Sequence, residues 1–350
     1  MVGAVLVKKG LILSESYHRR AGEKHAERLA LEKAGPSAHG STLYLTLEPC
    51  CHYGKTPPCT DLIIQSGVSR VVSAVQDPFP EVSGKGFRIL KKAGILVESG
   101  LLEVEARRLN EAFFTYHEKK RPFVMVKWAM SLDGRTSTDS GHSKWITGPK
   151  ARALAHRLRS YHDAVCVGVN TIIMDNPLLT VRLPGYKGKQ PACVILDESL
   201  RTPPEAALFR HSHKVYILSG PLKGTDLISR AKKLESKGAF LVQVNLHNRR
   251  IDIPSLIEIL YRENIQSVFV EGGRMVAGSF FEAGMVDKMG VFIAPRIIGG
   301  KNPTSPVICP GIARMKEEPD LSSWLIKRLG PDLYLEGYLN PGLSTHTGGQ

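Results

Sequence analysis

Long apolar runs are missing from this sequence. Its most apolar stretches, such as Met1 to Val7, fall far short of the roughly 18 residues a membrane-spanning helix needs, so an integral membrane helix is excluded. Cysteine is scarce: six in 350 residues cannot staple a disulfide scaffold. No basic segment followed by an apolar stretch and a small-residue cleavage site opens the chain, so the expected location is cytoplasmic. A run of about five or six like charges, which would form a basic arm, is also absent. Neither half carries a Gly-x-Gly-x-x-Gly between a strand and a helix, which removes the usual dinucleotide fingerprint.

What is present is an ordinary globular composition with 42% hydrophobic residues, and at roughly 150 residues per domain the length implies two domains. The formal charge of +14 is spread nearly in proportion to length, with 17 basic and 13 acidic side chains in the first 120 residues. A diffuse excess of this kind, with aromatics at only 7%, fits a small phosphorylated metabolite better than a nucleic acid.

The chain opens with a hairpin pattern, Val2 to Val7 and Leu11 to Tyr17 around Lys8-Lys9-Gly10. Helices are expected over 25–34, 59–66, 84–93 and, as one piece, from 101 to about 116. Strands are expected over 42–47, 70–74 and 95–98. Such alternation predicts helices on a largely parallel sheet. The polar stretch His117 to Pro122 ends this half, because proline cannot continue a helix through it. The expected domains are therefore 1–118 and 122–340. In the second, strands are predicted at 123–129, 164–168, 192–196, 215–218, 240–244, 267–271 and 288–293, and helices at 150–159, 227–237, 254–263 and 275–283. The residues after Asn340 are expected to fray.

Chemistry concentrates where cysteine does. Cys50, Cys51 and Cys59 fall within ten positions, which points to a metal. His25-Ala26-Glu27 opens a predicted helix, Pro49-Cys50 follows a predicted strand, and Cys59 starts another helix. One imidazole and two thiolates on Zn2+ leave the fourth tetrahedral position to water, whose pKa falls toward neutrality. A carboxylate at Glu27 then shuttles the proton to a departing amine. Cys51 and His52 are rival ligands, but Cys51 directly adjoins Cys50, and two neighbouring side chains rarely satisfy one tetrahedral ion.

The segments Met1 to Val5, His25-Ala26-Glu27, Thr46 to Asp61 and Gln76-Asp77-Pro78 together resemble the bifunctional deaminase–reductase of riboflavin biosynthesis, whose long loop between the two cysteines sets it apart from other zinc deaminases. The resemblance implies a cytidine-deaminase-like three-layer domain followed by a dihydrofolate-reductase-like α/β domain. It implies deamination of a diaminopyrimidinone ribosylamino 5′-phosphate, with His18, His52 and Lys55 touching the substrate. Members of the family begin with a helix and an Asn-containing loop before the Val-Gly-Ala-Val strand. The chain starts at Met1 without either, so an uncovered sheet face and a lost substrate hydrogen bond are expected.

In the second half, Glu271-Gly272-Gly273-Arg274 follows an apolar strand and precedes a helix, where small residues let a phosphate approach free amides. Other polar clusters lie at Lys127 to Arg135, Ser143 to Gly148 and Gly168 to Pro177, each after a strand or in a loop. Carried over from the same family, Ala129, Trp145, Thr171, Asp175 and the stretch Gly273, Arg274, Met275, Val276, Ala277, Gly278 and Ser279 are implied to hold NADPH. Ser143, Arg159, Leu179, Arg182 and Glu271 are implied to hold the ribosylamino phosphate, and Lys127 to approach the sugar. Arg159 and Arg182 suit a phosphate because a guanidinium donates two parallel hydrogen bonds. A homo-oligomer through the reductase half is also implied. The alternatives are a tRNA deaminase with an accessory binding domain, and a reductase joined to a degenerate zinc-stapled half.

Overall fold

The computed structural model describes residues 1–20, 22–54, 57–211, 214–301, 305–311 and 321–339; Lys55 and the residues after Asn340 lie outside this set. The chain divides into two compact units, Met1–Lys120 and Arg121–Gln350, and the division falls inside the polar stretch that ends at Pro122.

The first unit runs β1 (Gly3–Lys8), β2 (Leu11–Tyr17), α1 (Ala26–Ala34), β3 (Thr42–Leu45), α2 (Cys59–Gln65), β4 (Arg70–Ser73), α3 (Lys85–Lys92), β5 (Leu96–Ser99), α4 (Glu103–Leu109) and α5 (Glu111–Lys119). Its five strands lie in the order β2-β1-β3-β4-β5. The hairpin β1–β2 turns through Lys9 and Gly10, both at positive φ, the conformation a two-residue hairpin turn requires. β1 is antiparallel to both neighbours while β3, β4 and β5 are mutually parallel, so this sheet is mixed where a largely parallel one was expected.

Pleat alternation sorts the side chains. Ala4, Leu6, Leu43, Leu45 and Val71 point to one face and pack with Ala30 and Leu31 of α1, Ile63 of α2 and Leu90 of α3. Each fully buried Leu or Ile there contributes about 1.5–3 kcal/mol. On the other face Ala106 of α4 and Phe114 of α5 pack on Leu47, Ala74 and Val75, giving the third layer. Beside them the same face carries an apolar cleft of about 1290 Å³ whose lining includes Val5, Tyr44, Thr46 and Val72. The single helix expected from 101 to about 116 is two. The chain breaks at Asn110, whose φ of −126° is not helical and whose side-chain amide donates to the Met1 carbonyl at 2.8 Å.

The second unit comprises β6 (Phe123–Ser131), α6 (Pro149–Arg159), β7 (Ala164–Gly168), α7 (Val169–Asp175), β8 (Ala192–Leu196), β9 (Val215–Ser219), α8 (Thr225–Ser236), β10 (Ala239–Gln243), the short pair β11 (Leu246–His247) and β12 (Arg250–Ile251), α9 (Ile253–Arg262), β13 (Ser267–Val270), α10 (Arg274–Glu282), β14 (Lys288–Ala294), β15 (Leu321–Leu329) and β16 (Asp332–Leu339). Nine strands form one sheet, β10-β9-β8-β7-β13-β6-β14-β16-β15, parallel from β10 to β14 and antiparallel beyond. Continuous apolar strands such as Val165-Cys166-Val167 are covered on both faces. Leu256, Leu260 and Phe280 pack on one side, and Ile172, Ala231 and Leu234 on the other.

Five elements here were not expected: α7, the short pair β11 and β12, and the hairpin β15–β16. The polar cluster after Gly168 is helical over Val169–Asp175 because Val169 and Ile172 bury one face of that turn. The β15–β16 hairpin also escaped the reading: β15 is a largely exposed edge strand without clean alternation.

Candidate active sites

In the first unit, three elements bring one donor each to a common point. α1 presents His25 at its N-cap, the segment after β3 carries Cys50, and α2 starts at Cys59. His25 Nδ1 lies 3.5 Å from Cys50 Sγ and 3.4 Å from Cys59 Sγ, and the three donor atoms all fall within 4.8 Å of one another. The backbone holds this geometry locally. The Cys50 carbonyl accepts from the amides of Cys59 and Thr60, and the Cys59 amide also donates to Cys50 Sγ at 3.4 Å. The start of α2 thus faces the Cys50 sulfur, which favours its anion.

The electrostatics match. The Cys50 thiol is pushed down to about 4, first by its hydrogen bond with Cys59 and then by His25, while Cys59 is pushed up by the Cys50 sulfur and by burial. His25 is raised, chiefly by Cys50. Glu27, only 3% exposed, is raised to about 6 by burial, and its Oε2 has no hydrogen-bond partner. A soft two-sulfur, one-imidazole donor set beside a buried carboxylate with one idle oxygen fits Zn2+ and leaves a fourth position for solvent.

Around this centre, the His18 ring meets His25 edge-on at 5.2 Å and its Nδ1 lies 3.2 Å from the Lys24 carbonyl. His52 stands 6.0 Å from the Phe79 ring and 4.0 Å from the Glu81 carboxylate, with a buried, unpartnered Nδ1. Cys51 points away from the cluster, its sulfur donating to the Glu81 carbonyl at 3.7 Å, which removes it as a rival ligand. Sequence reasoning gave no role to Phe79, to His117 meeting it edge-on at 5.3 Å, or to Asp77, whose carboxyl burial raises to about 6. Only Asp77 carried a signal, through the quoted Gln-Asp-Pro.

In the second unit, the expected residues gather at the C-terminal ends of three adjacent central strands, β7, β13 and β6, where open α/β sheets bind ligands. Ala129 lies on β6, Thr171 and Asp175 on α7 after β7, and Gly273 caps α10 after β13. No side chain caps α10, and Gly273 and Arg274 are exposed, so the first amides of that helix can meet a phosphate. Met275 is exposed and Ser279 partly so. Val276, Ala277 and Gly278 face inward, and a Cβ on Gly278 would sit 1.7 Å from the Ile308 carbonyl oxygen, so these three shape the helix seat. Trp145 is 61% exposed with the Arg152 guanidinium 4.6 Å over its ring, and Asp175 pairs with Lys144 at 2.9 Å.

Beneath this edge lies a buried charge cluster. Arg159, expected to grip a phosphate, spends its fork on Glu271 instead, with Nε and Nη2 at 2.7 and 3.0 Å from the two carboxylate oxygens and Nη1 at 2.6 Å from the Thr180 carbonyl. Burial explains the difference: at 8% exposure an unpaired guanidinium costs too much. Lys127 Nζ lies 3.9 Å from Glu271, and burial lowers its pKa. Burial alone would raise the Glu271 carboxyl, but the Arg159 and Lys127 cations hold it below its ordinary value. Arg182 is exposed and forms the open cation of the group, its amide donating to His156 Nδ1 at 3.4 Å. Ser143 is half-buried in the loop before α6. Leu179, at positive φ, buries its side chain in the core and can offer a ligand only its backbone. His156 went unnoticed in the sequence, although its spacing of three from Arg159 puts both on one helix face.

Both units match known proteins. Residues 1–75 match the cytidine and deoxycytidylate deaminase zinc-binding region, and residues 122–333 match the RibD C-terminal domain. The riboflavin biosynthesis protein RibD of Aquifex aeolicus is 44% identical over 334 residues, covering 95% of this chain and 90% of that protein. That of Bacillus amyloliquefaciens is 44% identical over 337 residues, covering 96% and 89%. Among solved structures, Acinetobacter baumannii RibD aligns with a TM-score of 0.84 at 34% identity, covering 97% of this chain and 92% of that one. A Thermotoga maritima diaminohydroxyphosphoribosylaminopyrimidine deaminase/5-amino-6-(5-phosphoribosylamino)uracil reductase aligns at 0.81 and 35%, with the same coverage. The chain therefore belongs to the RibD family, bifunctional enzymes of riboflavin biosynthesis that join a zinc-dependent deaminase domain to an NADPH-dependent reductase domain.

Proposed function

We propose that the unit spanning 1–118 deaminates 2,5-diamino-6-(5-phosphoribosylamino)pyrimidin-4(3H)-one, and that the unit spanning 122–340 reduces the ribosyl chain of the product to ribityl. The observation that carries the first step is the buried, idle Glu27 oxygen beside three convergent donors. When bound, zinc held by His25, Cys50 and Cys59 supplies Lewis acidity at the attacked carbon, and NADPH supplies the reducing equivalent. Glu27 takes a proton from the attacking water at its free oxygen and passes it to the departing amine. Its raised pKa of about 6 suits both directions near neutral pH. His52 orients the base, and the family resemblance assigns His18 and Lys55 to the rest of the substrate.

In the reductase unit, Arg182 takes the substrate phosphate, with Ser143 and the backbone at Leu179 beside it. Arg159 acts through Glu271, keeping that carboxylate ionised and aimed past Lys127 toward the ribose hydroxyls. The uncapped start of α10 takes the cofactor's phosphates, with Ala129, Trp145, Thr171 and Asp175 along its length. The same proposal includes a cytoplasmic location and assembly as a homo-oligomer, which light scattering tests. Among the described residues no helix is long and apolar enough to cross a membrane. A single preparation assayed separately for ammonia release and for NADPH consumption on the deaminated intermediate decides the assignment. Both signals are expected; a chain that is metal-free and indifferent to NADPH would overturn it.

A further inference from the structure

The strand β3 leads into Glu48-Pro49-Cys50, and the acid in that tripeptide does not face the reacting centre. Glu48 is buried at 3% exposure, and its carboxylate accepts three backbone hydrogen bonds from one distant segment. Oε2 accepts from the amides of Asp77 at 3.2 Å and Gly84 at 2.9 Å, and Oε1 from that of Phe87 at 3.2 Å. These are the loop before α3 and the first turn of α3 itself, where amides have no partner inside the helix. Three such bonds on one anion make the carboxylate a strong clamp.

An independent feature converges on the same dipeptide. Gly86, in the first turn of α3, lies so close to the strand end that a Cβ there would sit 2.4 Å from the Pro49 carbonyl oxygen and 3.1 Å from Glu48 Oε1. Only a residue without a side chain permits that approach. The far side of Cys50 is held as well, since its carbonyl accepts from the amides of Cys59 and Thr60 at the start of α2. Cys50 therefore sits between two helix starts, one gripped through Glu48 and Pro49 and one through its own carbonyl.

We propose that Glu48, seated against Gly86, is a positioning residue of the zinc centre, fixing Cys50 Sγ relative to His25 and Cys59. The inference rests on the zinc reading above, and zinc stoichiometry of the unaltered chain tests that reading by itself. Glu48→Gln keeps the size of the side chain but turns an NH2 toward at least one amide that now donates to an oxygen. Gly86→Ala leaves the carboxylate intact and pushes on the Pro49 carbonyl, so it reaches Cys50 from the other partner of the seam.

The experiment uses the full-length chain in three variants: Glu48→Gln, Gly86→Ala and, as a control, Glu98→Gln, whose carboxylate pairs with Arg70 on the exposed edge of β5. Zinc affinity is read by competition with a chromophoric chelator, and the cobalt-substituted protein by its sulfur-to-cobalt and ligand-field bands. Both seam variants are expected to bind zinc about 10–100-fold more weakly and to shift the cobalt spectrum, as loss of an outer-shell partner does elsewhere. NADPH consumption on the deaminated intermediate and the Glu98→Gln control should stay at the wild-type level. A purely structural carboxylate would lower the melting temperature yet leave wild-type zinc affinity and cobalt bands in the folded variant, and that result would overturn the proposal. Should Glu48→Gln fail to fold, Gly86→Ala decides alone: unchanged zinc affinity and cobalt bands there overturn it equally.

Discussion

At Glu27 a single substitution can tell the two activities apart. It is buried, raised to about 6 by that burial, and leaves one oxygen free. Glu27→Gln keeps the shape and removes the proton acceptor, so ammonia release is expected to fall about 10²–10⁴-fold. NADPH consumption on the deaminated intermediate should be unchanged on the same sample, and a parallel loss of both would deny Glu27 a specific role. A second residue-scale effect concerns stability. His162 is stacked 5.0 Å from Phe269 and held near 4 by burial. Between pH 6.5 and 4 the unfolded chain binds a proton that the folded one refuses. Stability is therefore whole above pH 6.5 and declines as pH falls through that window, by on the order of 2 kcal/mol for this partly exposed ring. Urea titrations at pH 7 and pH 4.5 measure the slope, and His162→Phe, which keeps the ring stack, should flatten it. The convergence of His25, Cys50 and Cys59 was legible at this scale because His-x-Glu, Pro-Cys and a helix-opening Cys are local signals. The partner of Arg159 was not, because Glu271 lies 112 residues away and no local pattern announces it.

Among the elements, legibility followed burial. The central strands β7 and β8 came out with their exact limits, since apolar runs covered on both faces leave no ambiguity. The break between α4 and α5 did not, because the cause is a hydrogen bond from Asn110 to Met1, far away in sequence. β15 was missed for the opposite reason: an exposed edge strand has no buried face to imprint a period on its sequence. The helix α10 yields a test of its own. Gly278→Ala sets a methyl 1.7 Å from the Ile308 carbonyl, so α10 must shift. The expected cost is about 1–3 kcal/mol in the stability of the second unit, with a raised KM for NADPH and an unaltered rate of ammonia release. A variant with wild-type melting and KM would show that this contact does not seat the helix.

For the whole molecule, the two-domain α/β plan followed from the alternation of elements and the polar stretch before Pro122, while the cofactor pairing rested on motif order more than on any one signature. Two units with separate cores imply separable chemistry. Removal of zinc by a chelator should abolish ammonia release while NADPH consumption on the deaminated intermediate persists. The claim on which most depends is that His25, Cys50 and Cys59 grip one ion and leave one position to solvent. X-ray absorption at the zinc edge on the purified full-length chain, with metal content measured on the same sample, tests it most directly. One zinc per chain with two sulfur neighbours and one imidazole is predicted. A third sulfur, or a chain that takes up no zinc at all, would contradict the account.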